Sequence, residues 1–144
     1  MAIVSSNSAP TKRQATILCI DDELPALQVR TALLESVGYR VLPAMTANAA
    51  MGLFVTHEID LVLSEHMLRD VSGAELSIFM KQVRPDVSVV LLAGAAQLPA
   101  TLVEQVDACV QKDSPARNLL GCVQEVLAQQ SSKKTKDAGT RLQA

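Results

Sequence analysis

A chain of 144 residues, 49% apolar and with a net charge of −2, is long enough for one packed core, too short for two and too apolar to stay disordered. Its three aromatic residues (Tyr39, Phe54, Phe79) give no base-stacking platform, and residues 15–130 carry 14 acidic against 7 basic side chains, which argues against direct nucleic-acid binding. The longest apolar run, residues 89–96, falls far short of the roughly 20 that span a bilayer, and the N-terminus has no hydrophobic signal core, so a cytoplasmic chain without membrane contact is expected.

Residues 15–20 (ATILCI) read as a buried strand ended by acids. Asp22 suits the N-cap of a first helix, Pro25 its first turn and Gly38 its stop, with Leu27, Thr31, Leu34 and Val37 at helical spacing between them. Residues 40–44 are the second strand. Thr46 or Asn48 opens a helix to about Thr56 that turns Ala50, Leu53 and Phe54 inward, and residues 59–64 are the third strand. After the loop 65–71, Ser72 and Glu75 form a capping-box pattern. Leu76, Phe79, Met80 and Val83 then make the apolar face of a helix that Pro85 ends. Residues 87–92 are the fourth strand, a short helix lies around 98–105, and residues 107–111 are the fifth strand. Ser114 and Pro115 start a last helix that runs to about Gln129.

Five strands alternating with helices predict an α/β fold: one doubly wound parallel sheet, covered on both faces, with right-handed crossovers. Function in such sheets collects at the carboxyl ends of the strands. Asp21 and Asp22 follow the first strand, Glu65 the third and Lys112 the fifth, so three acids surround one base at a single edge. Such a set suits a divalent cation and an anionic group together. The plainer reading is that Asp21 and Asp22 serve only the helix dipole while Glu65 and Lys112 form a simple salt bridge. The folded body is expected over 15–130, between flexible tails 1–14 and 131–144 that hold 6 basic residues against 1 acidic. Cys19, Cys109 and Cys122 are odd in number and lie inside predicted elements, so they read as reduced packing residues. His57 and His66 read as exposed loop or helix-end residues.

The run Ile17-Leu18-Cys19-Ile20-Asp21-Asp22-Glu23, then Asp60-Leu61-Val62-Leu63-Ser64-Glu65, then Met67 to Gly73, then Lys112, resembles a response regulator receiver domain of two-component signalling. The resemblance covers about residues 15–130 and implies a flavodoxin-like sheet of strand order 2-1-3-4-5. It implies that Asp21, Asp22, Glu65 and the backbone carbonyl of Met67 stand where that family binds Mg²⁺. It further implies that Glu65 occupies the place of the aspartate that accepts a phosphoryl group from a histidine kinase, and Lys112 that of the lysine that neutralises it.

Four departures from that pattern shape the functional expectation. Glu65 carries its carboxylate about 1.5 Å further out than an aspartate would, and misplacement by about 1 Å costs on the order of 10²-fold in such chemistry. Its charge reaches toward the phosphoryl space and Lys112, a fixed partial imitation of the modified state. Ala93 stands where the family has the Ser or Thr that contacts the phosphoryl group. Cys109 replaces the aromatic switch residue three positions before the lysine. Asp113 replaces the proline after Lys112, so a trans joint is expected there.

The expectation is therefore a non-enzymatic receiver-like module that works by protein–protein contact without phosphorylation and binds Mg²⁺ weakly or not at all. Its partner is a histidine kinase, an output protein or a second copy of itself, met through the fifth strand and flanking helices. The candidate contacts are Leu98, Leu102, Val103, Cys109, Gln111 and Lys112. Two alternatives compete with this: a working phosphorelay receiver with weak acceptor activity, and a small-ligand-binding protein on the same fold. The second is disfavoured because the first strand-to-helix turn has no glycine and carries acids where a pyrophosphate needs backbone amides.

Overall fold

The computed structural model describes residues 13–94, 100 and 104–143. Strands β1 (Thr16–Ile20), β2 (Arg40–Ala44), β3 (Leu61–Glu65), β4 (Ser88–Ala93) and β5 (Ala108–Gln111) form one five-stranded sheet of order β2-β1-β3-β4-β5. Every pairing is parallel. Among the described residues four helices complete the fold: α1 (Leu24–Ser36), α2 (Ala47–Thr56), α3 (Gly73–Val83) and α4 (Ala116–Gln143). The short helix expected around 98–105, with Leu98, Leu102 and Val103, lies largely outside the described residues.

The pleat sorts alternate residues of each strand into two cores. Leu18, Ile20, Val62, Val89 and Leu91 pack on one face with Ala50, Phe54, Leu76 and Met80 of α2 and α3. Ile17, Cys19, Leu61, Leu63, Val90, Leu92 and Val110 pack on the other with Leu27 and Leu34 of α1 and Leu119, Val123 and Val126 of α4. Both faces are covered, which is why the inner strands are continuous apolar runs.

Local signals set most element ends. Thr46 Oγ1 accepts from the Ala49 amide and Ser72 Oγ from the Glu75 amide, so α2 and α3 carry side-chain caps. Gly38, at φ 101°, provides the left-handed turn from α1 into β2. At the amino ends of β3 and β4, Gln130 Nε2 of α4 lies 2.8 Å from the Asp60 carbonyl, 3.0 Å from the Asp86 carbonyl and 3.0 Å from Ser88 Oγ.

The structure corrects several expectations. The N-cap of α1 is Glu23, without a side-chain cap; Asp22 is spent elsewhere, and Asp21 Oδ1 accepts from the Glu23 amide instead. Val37, Phe79 and Val83 are exposed, Phe79 at 57%, because a helix on a sheet buries a narrow stripe that Leu34, Leu76 and Met80 already fill. The last helix does not stop near Gln129 but continues to Gln143, since residues 130–143 contain no proline to break it. Arg13 and Gln14, assigned to the N-terminal tail, are tied to the body: Arg13 pairs with Asp60, and Gln14 Nε2 donates to the Gly38 carbonyl at 3.0 Å. Neither histidine is exposed. His57 caps the end of α2 and His66 follows β3, both half-buried.

Phe54 is fully buried, and the Arg84 guanidinium lies 4.5 Å from its ring centroid. Phe54→Ala is expected to cost about 3–5 kcal/mol, read as a lower urea midpoint at unchanged m-value.

Candidate functional site

The register brings the charged groups together at the carboxyl edge. Glu65 aligns with Leu92 on β4, and Leu92 with Val110 on β5. Lys112 follows two residues later, and its amide donates to the Ala93 carbonyl at 3.1 Å. Glu65, Lys112 and Asp21 continue the alternation of Leu63, Val110 and Cys19, which belongs to the α1/α4 face. Two-residue periodicity alone therefore turns these three side chains toward one side.

Glu65 is 2% exposed. Its Oε2 lies 3.0 Å from Lys112 Nζ, off the angles of a hydrogen bond, so this contact is an ion pair. Its Oε1 accepts from the Met67 amide at 3.3 Å. Lys112 is 39% exposed, so water screens the outer side of the pair. Ala93 is fully buried and offers no hydroxyl beside it. Cys109 is half-buried on β5, against the α2/α3 core.

The loop after β3 is fixed by backbone contacts. The Gly73 and Leu68 amides donate to the His66 carbonyl at 2.7 and 3.2 Å, and Met67 bridges Ser72. A Cβ on Gly73 would sit 2.6 Å from the Glu65 carbonyl oxygen and 3.0 Å from His66 Cα, both backbone atoms that cannot turn aside. The glycine is thus required by close approach.

Two residues that sequence reasoning missed complete the site. Arg30 of α1, its side chain 13% exposed, pairs with Asp21 Oδ2, while Asp21 Oδ1 takes the Glu23 amide at 2.8 Å. Arg69 approaches Asp22 Oδ2 twice, with its amide at 3.0 Å and its Nε at 3.7 Å. A signal for Arg30 existed: a charge on the same helical face as the buried Leu27 and Leu34. The Arg69 contact joins two loops 47 residues apart and left no such mark.

Asp21, Asp22, Glu65 and Met67 do gather at one edge, as expected. Each carboxylate there already meets a cationic or amide group: Asp21 the Glu23 amide and Arg30, Asp22 the Arg69 amide and side chain, and Glu65 the Met67 amide and Lys112. Among the described residues no group of three or more His, Cys, Asp or Glu is placed to hold a metal ion. The three cysteines are free. Burial pushes the Cys19 thiol up to about 12, with Arg30 lowering it and Asp21 raising it. Burial also raises Cys109, and it raises Cys122 together with Glu125 and Cys109.

With this geometry in hand, the comparisons place the chain. Residues 17–124 match the family model described as response regulator receiver domain, so the chain belongs to that family, the receiver modules of two-component signalling. It is 32% identical over 84 residues to the phosphate regulon transcriptional regulatory protein PhoB of Pseudomonas aeruginosa, covering 57% of this chain and 37% of that one. The chain thus spans well under half the length of the curated relatives it matches. Among solved structures it is similar to a CheY-like receiver domain protein of Methanospirillum hungatei, with TM-score 0.78, 28% identity, and coverage of 83% and 98% of the two chains. The response regulator TrrA of Thermotoga maritima, in complex with Mg²⁺-BeF, shares the fold at TM-score 0.74 and 22% identity, with coverage of 78% and 99%. The expected strand order 2-1-3-4-5 agrees with the sheet and with these relatives. No helix among the described residues is long and apolar enough to cross a membrane.

Two predictions follow from the packing of this edge. Gly73→Ala is expected to destabilise the chain by about 1–3 kcal/mol, checked by chemical denaturation. Because the Cys19 thiol ionises near 9 when unfolded and near 12 when folded, the unfolded chain binds fewer protons in that window. Stability therefore falls as pH rises from 9 toward 12, and Cys19→Ala should flatten the slope by up to about 1.4 kcal/mol per pH unit. Urea melts across that range provide the measurement.

Proposed function

We propose that this receiver domain signals by protein–protein contact without accepting a phosphoryl group. One observation carries the reading: the carboxylate at the acceptor position is buried and already paired with Lys112 at 3.0 Å. A phosphoryl group would need that same lysine, and the longer side chain already places a negative charge beside it. Ala93 adds support, since no hydroxyl there can answer a modification with a hydrogen bond. Cys109 supports it too, being smaller and less polar than an aromatic that swings to report a loop shift.

On this reading the chain catalyses no reaction, acts in the cytoplasm and binds Mg²⁺ weakly or not at all. Its partner is a histidine kinase, an output protein or a second copy of the chain, and contact runs through β5 and the flanking helices. Cys109, Gln111 and Lys112 are the described contact candidates. The acidic body keeps nucleic acid away.

Incubation with acetyl phosphate and Mg²⁺, followed by intact-mass measurement, tests the proposal. Wild type is expected to gain no mass, while Glu65→Asp combined with Arg30→Met, which shortens the acceptor side chain, frees room before Lys112 and removes the cation at Asp21, is expected to gain one phosphoryl group. A stable adduct on wild type would favour a weak working acceptor instead.

A further inference from the structure

We propose that Arg30 is the resident cation of the acid cluster, held at Asp21 where a divalent metal would otherwise bind. The inference deepens the metal half of the proposed function and does not depend on its phosphoryl half.

Asp21 is 1% exposed, and both its oxygens are engaged, Oδ1 by the Glu23 amide and Oδ2 by Arg30. A buried carboxylate without a counter-charge is costly, and so is a buried guanidinium, which cannot shed its proton. Arg30 sits on the stripe of α1 that also carries Leu27 and Leu34, a place otherwise given to apolar side chains. Its charge there is sustained by Asp21, and that of Asp21 by Arg30.

The same balance holds across the edge. Asp22 has Arg69 and Glu65 has Lys112, so each of the three acids has its own basic partner. A divalent ion entering at Asp21 would lie close to the Arg30 guanidinium, which already holds that carboxylate and cannot lose its charge. At Asp21 the compensation is built into α1, so the loop after β1 is held in place without a metal ion.

Titration of the full chain with Mn²⁺, followed by water-proton relaxation, tests this, with thermal melts in Mg²⁺ as a second readout. Wild type is expected to show no saturable Mn²⁺ site at millimolar concentration and no Mg²⁺-dependent shift in Tm. Arg30→Met, which keeps the length but removes the charge, is expected to gain affinity by about tenfold or more and to be stabilised by Mg²⁺. Arg30→Lys should exclude metal as wild type does. Saturable binding by wild type that Asp21→Asn abolishes would overturn the inference whether or not the Met variant folds. Its failure is distinct from that of the proposed function: a wild type that excludes Mn²⁺ yet gains a phosphoryl group would sink that reading and leave this one standing.

Discussion

Parallel strands deliver their carboxyl ends to one edge, and an edge crowded with carboxylates is stable only if something positive stands among them. In this chain the positive groups are side chains. Arg30, Arg69 and Lys112 each meet one acid, and the pairing of Glu65 with Lys112 ties β3 to the turn after β5 across the intervening β4. The Asp22 contact with Arg69 joins the loops after β1 and β3, and close backbone approach at Gly73 sets the tight turn of the second.

The fold is the shared inheritance of receiver domains, and its two cores are ordinary in their physics. The proposed reading rests on a few positions at the functional edge. On that reading Glu65 stands at the acceptor position with a longer side chain, Ala93 stands in place of a hydroxyl and Cys109 in place of an aromatic ring, while Arg30 puts a charge on an apolar helix stripe. Each change alone is modest. Together they lie along the route that would join a modified carboxylate to the surface at β5, and the proposed reading treats that route as closed and the edge as fixed.

Part of the apolar surface of the helices faces outward. Phe79, Val83 and Ile78 are exposed on α3, and Val29 and Leu24 on α1. Of the exposed positions, Val37, Phe79 and Val83 looked like core in a helical periodicity, because a period of 3.6 finds a stripe without telling its width. The sheet supports only the inner row, which leaves the outer row to solvent.

The order of elements, the parallel sheet, the two buried faces and the convergence of Asp21, Asp22, Glu65 and Lys112 were legible in the sequence, because strand length, apolar runs and cap residues are local signals and the carboxyl-edge rule is general. Tertiary structure alone decided which cation meets which acid. The Arg30 contact with Asp21 depends on the rotation of α1 over the sheet, and the Arg69 contact with Asp22 on two loops meeting across the edge. It also decided that α4 runs on to Gln143 and that Phe79 faces out. A sequence states which charges exist; their distances are set only when helices settle on the sheet, and electrostatic pairing follows distance.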